Sequence, residues 1–153
     1  MAQQFEIEIY PGTYRKIGDG APVFIVGEIG TNWFTAGEDG GDKAEELIKV
    51  AAAAGCDAVK FQTYSPEKVY VADPGPSEYI ASSVSDVPLL ELLGERVMPI
   101  EMIPNLADCC AQNGLGFISS AFSLDDLALI EPYSAIHKLA SYEISHLRLI
   151  EAL

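Results

Sequence analysis

Residues able to do chemistry stand at the ends of four apolar stretches in this chain. They are Glu28 in "VFIVGEIG", Lys60 and Gln62 in "AVKFQTY", Ser119 and Ser120 in "GFISSAFS", and Lys138, Ser141 and Glu143 in "AIHKLASYE". An unpaired buried ammonium is costly and tends to lose its proton, so lysines in apolar strands are a poor choice for stability alone. Two lysines and neighbouring serine hydroxyls suit an anion, because cations offset the charge of phosphate or carboxylate oxygens while hydroxyls donate to them. The structural alternative is an internal ion pair of either lysine with Glu28 or Glu143. A third use of a lysine amine is Schiff-base chemistry, for which Lys60 and Lys138 both qualify by type.

Cations are scarce here. The 153 residues include 23 acids against 9 bases, a net charge of −14. Such a field repels nucleic acid and anionic lipid, and no basic patch stands out, so neither is expected as a partner. No apolar run approaches the roughly 18–20 residues of a membrane span. The opening "MAQQFEIEIY" lacks a basic start followed by an apolar run, so no signal peptide is expected and the reading is cytoplasmic. Cys56, Cys109 and Cys110 are a poor disulfide framework and suit thiols in a reducing compartment. His137 and His146 read as packing or surface residues, and no metal ligands are assigned within the chain.

The elements that must position these groups alternate. "FEIEIY" and the following "PGTYRKIGDGAP" predict a β-hairpin extension over residues 1–22. Beyond it, residues 23–153 read as four strands, each followed by helical sequence, with no hairpin signal between them. A helix from Asp42 carries an Asp-x-x-Glu cap with Glu45 and stops at Gly55. Others are expected over "PLLELLGERV", over residues 101–112 with the helix proper from Pro104, after Ser123, and over "SHLRLIEAL". Residues 65–87, with Pro66, Pro74 and Pro76, read as a loop. This order predicts right-handed βαβ units and a parallel sheet. An open doubly wound sheet and a (β/α)8 barrel both fit it. The dinucleotide glycine fingerprint is absent after the first strand, and polar residues at several strand ends favour the barrel. A whole barrel takes about 250 residues, so four units make its amino-terminal half.

The words "FIVGEIGTN", "AGCDAVKFQTY", "GFISSAFS" and "HKLASYEISHLRLIEAL", in this order, resemble the amino-terminal part of the sialic acid synthase (N-acetylneuraminate synthase) family, including its legionaminic and pseudaminic acid relatives. The resemblance covers most of the chain from about Val23. It implies a TIM-barrel transferase that condenses phosphoenolpyruvate with an N-acetylated mannosamine-type sugar, with a divalent metal, manganese or magnesium, in the complete enzyme. It implies that Lys60, Lys138 and Ser141 hold phosphoenolpyruvate, that Ser120 matches the hydroxyl residue of the third strand, and that Gln62 and Glu143 face the sugar. Glu28 matches the acidic residue of the first strand. In chemical terms, the lysines would offset the donor's charge, while carboxylates such as Glu28 and Glu143 manage the proton and the attacking water. The family's metal-binding histidines and its small carboxy-terminal domain have no counterpart here. Trp33 stands where the family usually has histidine, and Ala121 where proline is common. A non-catalytic, oligomerising half-barrel module is the alternative function. Unpaired edge strands lead us to expect a homo-oligomer in either case.

Overall fold

Seven residues of alternating character, Gln4–Tyr10, form strand β1, which turns at Gly12 into β2 (Thr13–Gly18) as an antiparallel hairpin. The structure, a computed structural model, describes residues 3–37, 40–72 and 89–153. Three parallel strands follow: β3 (Val26–Gly30), β4 (Ala58–Thr63) and β5 (Gly116–Ala121), side by side in that order. Helix α1 (Gly40–Ala53) connects the first pair and α4 (Met102–Gln112) enters the third strand. Short helices α2 (Pro66–Val69), α3 (Leu89–Gly94), α5 (Leu124–Ile130) and α6 (Leu147–Ala152) complete the described elements.

The two-residue strand period decides which layer each side chain joins. Val59, Phe61 and Phe117 turn to the helices and pack with Ala44 and Ile48 of α1, Ile103 and Leu106 of α4, and Leu127 and Ile130 of α5. The rings of Phe61 and Phe117 stack with centroids 5.6 Å apart. Lys60, Gln62 and Ser120 take the other parity and the other face. The hairpin meets the sheet at the opposite end of the strands from those groups. Ile9 is buried near the start of β5, and Arg15 reaches Asp57, just before β4, at 3.3 Å. Asp57 also accepts a 2.8 Å hydrogen bond from the backbone of Ile25, so one carboxylate ties the hairpin, β3 and β4.

Several boundaries move from the sequence expectation. Helix α1 starts at Gly40, placing Asp42 in the first turn and not at the cap. The missing side chain at Gly40 matters, because a Cβ there would lie 2.5 Å from Cε3 of buried Trp33. The indole thus belongs to the core beside Phe34. Helix α4 begins two residues before Pro104, whose absent N–H falls in a first turn that has no intrahelical acceptor for it. The expected loop contains α2, and its Pro74 and Pro76 lie outside the described residues.

The larger correction concerns the fourth strand. Residues 135–143 join no ladder among the described residues; the segment ends in a 3-10 turn, Ser141–Glu143. Its alternation and apolar content gave the strand expectation, but a strand exists only where a neighbour pairs with it. Here a side chain intervenes: the buried Ser134 hydroxyl lies 2.9 Å from the Phe117 carbonyl of β5 and 2.7 Å from that of Ile136. The segment therefore passes beside β5 without pairing to it. The α/β class and the parallel β3-β4-β5 sheet stand.

Candidate active site

At the carboxyl ends of β4 and β5 lies a cleft of about 310 Å³. Lys60, Gln62 and Ser120 line it from the strands, and Lys138 and Ser141 from the unpaired fourth segment. Register explains the first three, since β4 and β5 pair Gln62 with Ser120, and Lys60 lies two residues back on the same face. Five of the eight sequence-derived candidates thus share one cavity. No carboxylate is among its described lining residues. Two ammonium groups face it together with the hydroxyls of Ser120 and Ser141, in a chain of net charge −14.

Glu28 stands at the edge of this group. The β3–β4 register sets it beside Lys60, and its Oε2 is 2.6 Å from the Lys60 ammonium. The lysine side chain is 14% exposed but the glutamate 52%, so the pair is wetted on one side. The expected internal ion pair is therefore formed at Lys60, and an anion there competes with Glu28. Gly30 shapes this corner: its φ of +57° accompanies a register shift after Glu28, and a Cβ there would sit 3.1 Å from Glu28 Oε1 and 3.8 Å from Gln62 Nε2. Lys138 has no carboxylate partner among the described residues and donates to the carbonyl of Leu139.

The structure does not bring Glu143 into the cleft lining. Its Oε2 lies 2.9 Å from Nδ1 of His146 across the 3-10 turn. Ser119 also departs from its neighbour. Its fully buried hydroxyl faces the helix layer and lies 2.8 Å from that of Thr63.

The remaining lining went unread in the sequence: Tyr64, Val69, Tyr70, Leu93, Phe122, Ala140 and Tyr142 give the cleft a largely aromatic and aliphatic wall. Tyr64 packs edge-on against Phe122 at 6.0 Å and donates to the Leu93 carbonyl at 3.2 Å. Burial pushes its phenol pKa above the usual 10.0. The signal was available, because Tyr64 continues the Lys60–Gln62 parity and Phe122 that of Ser120. Val69 and Leu93 come from helices whose position no local pattern announces.

A polar knot joins α2 to the start of α5. The Asp126 carboxylate accepts from Ser123 Oγ at 2.6 Å, while the Asp126 backbone N–H donates to the same oxygen at 3.1 Å. Ser65 Oγ approaches the other carboxylate oxygen at 3.4 Å, and on the surface Lys68 pairs with Asp125 at 2.6 Å. Burial raises the Asp126 pKa, outweighing the opposing Ser123 bond and the Lys68 charge.

Among the described residues, no three His, Cys, Asp or Glu side chains are grouped to hold a metal ion. Likewise, no helix there is long and apolar enough to cross a membrane.

A parallel α/β sheet with packed helices and a cleft at the carboxyl ends of its strands is the arrangement of a barrel-type α/β protein. The family comparison agrees: residues 47–153 match the NeuB family, and the chain belongs to it. It is 38% identical over 139 residues to the spore coat polysaccharide biosynthesis protein SpsE of Bacillus subtilis, covering 90% of this chain and 35% of that one. Pseudaminic acid synthase of Campylobacter jejuni is 29% identical over 123 residues, 79% of this chain and 35% of that one. The crystal structure of N-acetylneuraminic acid synthetase from Leptospira borgpetersenii, in complex with citrate, superposes with a TM-score of 0.73 at 26% identity, over 97% of this chain and 46% of that one. The chain thus spans about a third of the length of these curated relatives.

Proposed function

We propose that the protein supplies the phosphoenolpyruvate side of a synthase that joins phosphoenolpyruvate to an N-acetylmannosamine-type sugar, giving a nine-carbon 2-keto acid and phosphate. The observation that carries this reading is the cleft itself, lined by Lys60, Lys138, Ser120 and Ser141, with Glu28 the one carboxylate described beside them. In the reaction, the donor's methylene carbon forms a bond to the sugar's aldehyde carbon, whose oxygen takes a proton. Water then adds to the donor's central carbon and phosphate departs. Lys60 and Lys138 hold the donor's charges, the serine hydroxyls donate to its oxygens, and Gln62 orients the sugar. Glu28, half exposed beside Lys60, is the carboxylate placed to handle a proton, and it gives up its ion pair when the anion arrives. Glu143 reaches the sugar only by leaving His146. For the divalent metal implied by the resemblance, the described residues offer no group of three His, Cys, Asp or Glu side chains.

Heteronuclear NMR of the chain tests this directly. Phosphoenolpyruvate at millimolar concentration should shift resonances of Ser120, Ser141 and the two lysines, and Lys138→Ala should abolish the response. No turnover of phosphoenolpyruvate and N-acetylmannosamine is expected from these 153 residues alone. Shifts that survive both Lys60→Ala and Lys138→Ala would overturn the anion site. A silent cleft would favour a second reading, a half-barrel interaction module in which Lys60 serves only its pair with Glu28.

A further inference from the structure

Anion binding leaves one chemistry of the lysines unused: imine formation with a carbonyl compound, for which Lys60 and Lys138 qualify equally by type. The structure separates them. Imine formation needs the free amine, and a neighbouring carboxylate keeps a lysine in its ammonium form. Four of the six lysines have such a partner: Lys43 with Glu46, Lys49 with Glu45, Lys60 with Glu28 and Lys68 with Asp125, at 2.6 to 3.4 Å. Lys16 is exposed on β2, away from the cleft. That leaves Lys138. Among the described residues it has no carboxylate partner, it donates to the adjoining Leu139 carbonyl, and it lines the cleft.

Resting on the anion site of the synthase reading, we propose that Lys138 is a reversible covalent site for phosphorylated aldehydes. The two lysines reach one cavity from different elements, Lys60 from β4 and Lys138 from the segment that passes β5 without pairing. A ligand with an anion at one end and a carbonyl at the other spans them. Its phosphate takes the donor anion's place at Lys60 and the serine hydroxyls, and its carbonyl carbon meets the Lys138 amine. The nitrogen lone pair adds to that carbon, and the carbonyl oxygen takes a proton from the nitrogen. The carbinolamine so formed loses its hydroxyl and the remaining N–H proton as water, leaving a carbon–nitrogen double bond. Water adding back to that bond releases the aldehyde, so no oxidant or reductant is consumed. While the imine stands, phosphoenolpyruvate is excluded, and the aldehyde is a competitive inhibitor.

Pyridoxal phosphate is the probe, with pyridoxal as its phosphate-free counterpart. The chain is incubated with each, the imine is fixed with borohydride, and the modified lysines are mapped by mass spectrometry of its peptides. Lys138 should be labelled first. Half-labelling should need at least about tenfold less pyridoxal phosphate than pyridoxal, the least that one hydrogen bond to a charged group confers. Phosphoenolpyruvate should protect Lys138 and leave the labelling of Lys16 unchanged. These readouts use the unaltered chain, so neither depends on a variant folding. Lys60→Ala should weaken the preference for the phosphorylated probe while Lys138 is still labelled. Lys138→Arg keeps the charge but forms no imine, so it should abolish labelling in the cleft. Labelling of Lys60 before Lys138, an even spread over the six lysines, or equal response to the two probes overturns the proposal. The phosphoenolpyruvate NMR titration separates it from the synthase reading. Shifts at Ser120 and Ser141 without labelling of Lys138 defeat the aldehyde site alone, and phosphate-dependent labelling without such shifts defeats the synthase reading alone.

Discussion

Lys60 shows how far a residue's type carries an argument and where geometry must take over. Its alternation places it on the cleft face, and its chemistry suits an anion, yet it meets Glu28 at 2.6 Å. Because the glutamate is half exposed, the pair is nearer the surface case, worth about 0–1 kcal/mol, than a fully buried one. Lys60→Ala should therefore cost no more than about 1 kcal/mol in urea unfolding, with phosphoenolpyruvate binding weakened at least about tenfold. A loss near the 3–5 kcal/mol of a broken buried pair, with binding unchanged, would make the lysine structural. Asp126 offers a sharper electrostatic test. Burial raises its pKa above the usual 3.8, so the folded chain holds that proton more tightly than the unfolded one. Its contribution is fully present below about pH 4 and is lost as pH rises through the raised value. Asp126→Asn removes this titration and can still accept from Ser123. The stability of the variant relative to wild type should thus rise between pH 4 and pH 7 in urea unfolding. A constant or falling difference would contradict the assignment.

At the scale of elements, what was legible was local. The hairpin, three parallel strands and the helices after them could be read because turn residues and apolar period are written along the chain. The floor of the site was legible for the same reason, since Lys60, Gln62 and Ser120 follow from parity. The fourth strand was not, because "AIHKLASYE" has strand composition while strand pairing depends on a neighbour and on Ser134 beside Phe117. The wall of the cleft was missed because Val69 and Leu93 reach the cleft through helix placement, a long-range property. The hairpin's docking was equally hidden. It rests on Ile9, which is 2% exposed, and on the Arg15–Asp57 pair, whose side chains are both partly solvated. Packing outweighs charge in that contact. Ile9→Ala should cost about 2–5 kcal/mol, and Arg15→Ala no more than about 1 kcal/mol. Thermal unfolding measures both, and amide exchange in β1 should accelerate only for Ile9→Ala. A larger loss at Arg15 would reverse this ranking.

The whole molecule leaves apolar surface where a barrel would continue. Val23, Ile25 and Val26 are exposed along the β3 edge, and Ile144, Leu147, Ile150 and Leu153 recur at three-residue spacing into and along α6. Among the described residues β3 and β5 are the sheet edges, and β5 is partly shielded by the Ser134 contact. Of the two bare edges expected, at the first and fourth strands, the first stands at β3, and β5 takes the place of the fourth. An exposed, apolar strand edge recruits further strands, and the helical stripe adds a face of matching character. The charge of −14 opposes association, but between surface groups it is screened beyond about 8–10 Å at ordinary salt. Contact across apolar surface is not screened at all. Self-association should therefore strengthen as salt rises, opposite to an interface held by ion pairs. Light scattering at tens of micromolar should give a dimer or larger species, with its mass increasing between low and ordinary ionic strength. Replacing Ile25 and Leu147 with Lys should return it to a monomer without loss of helix signal in circular dichroism. A cooperatively unfolding monomer at every salt concentration would show that these faces need no partner and would remove the basis for assembly.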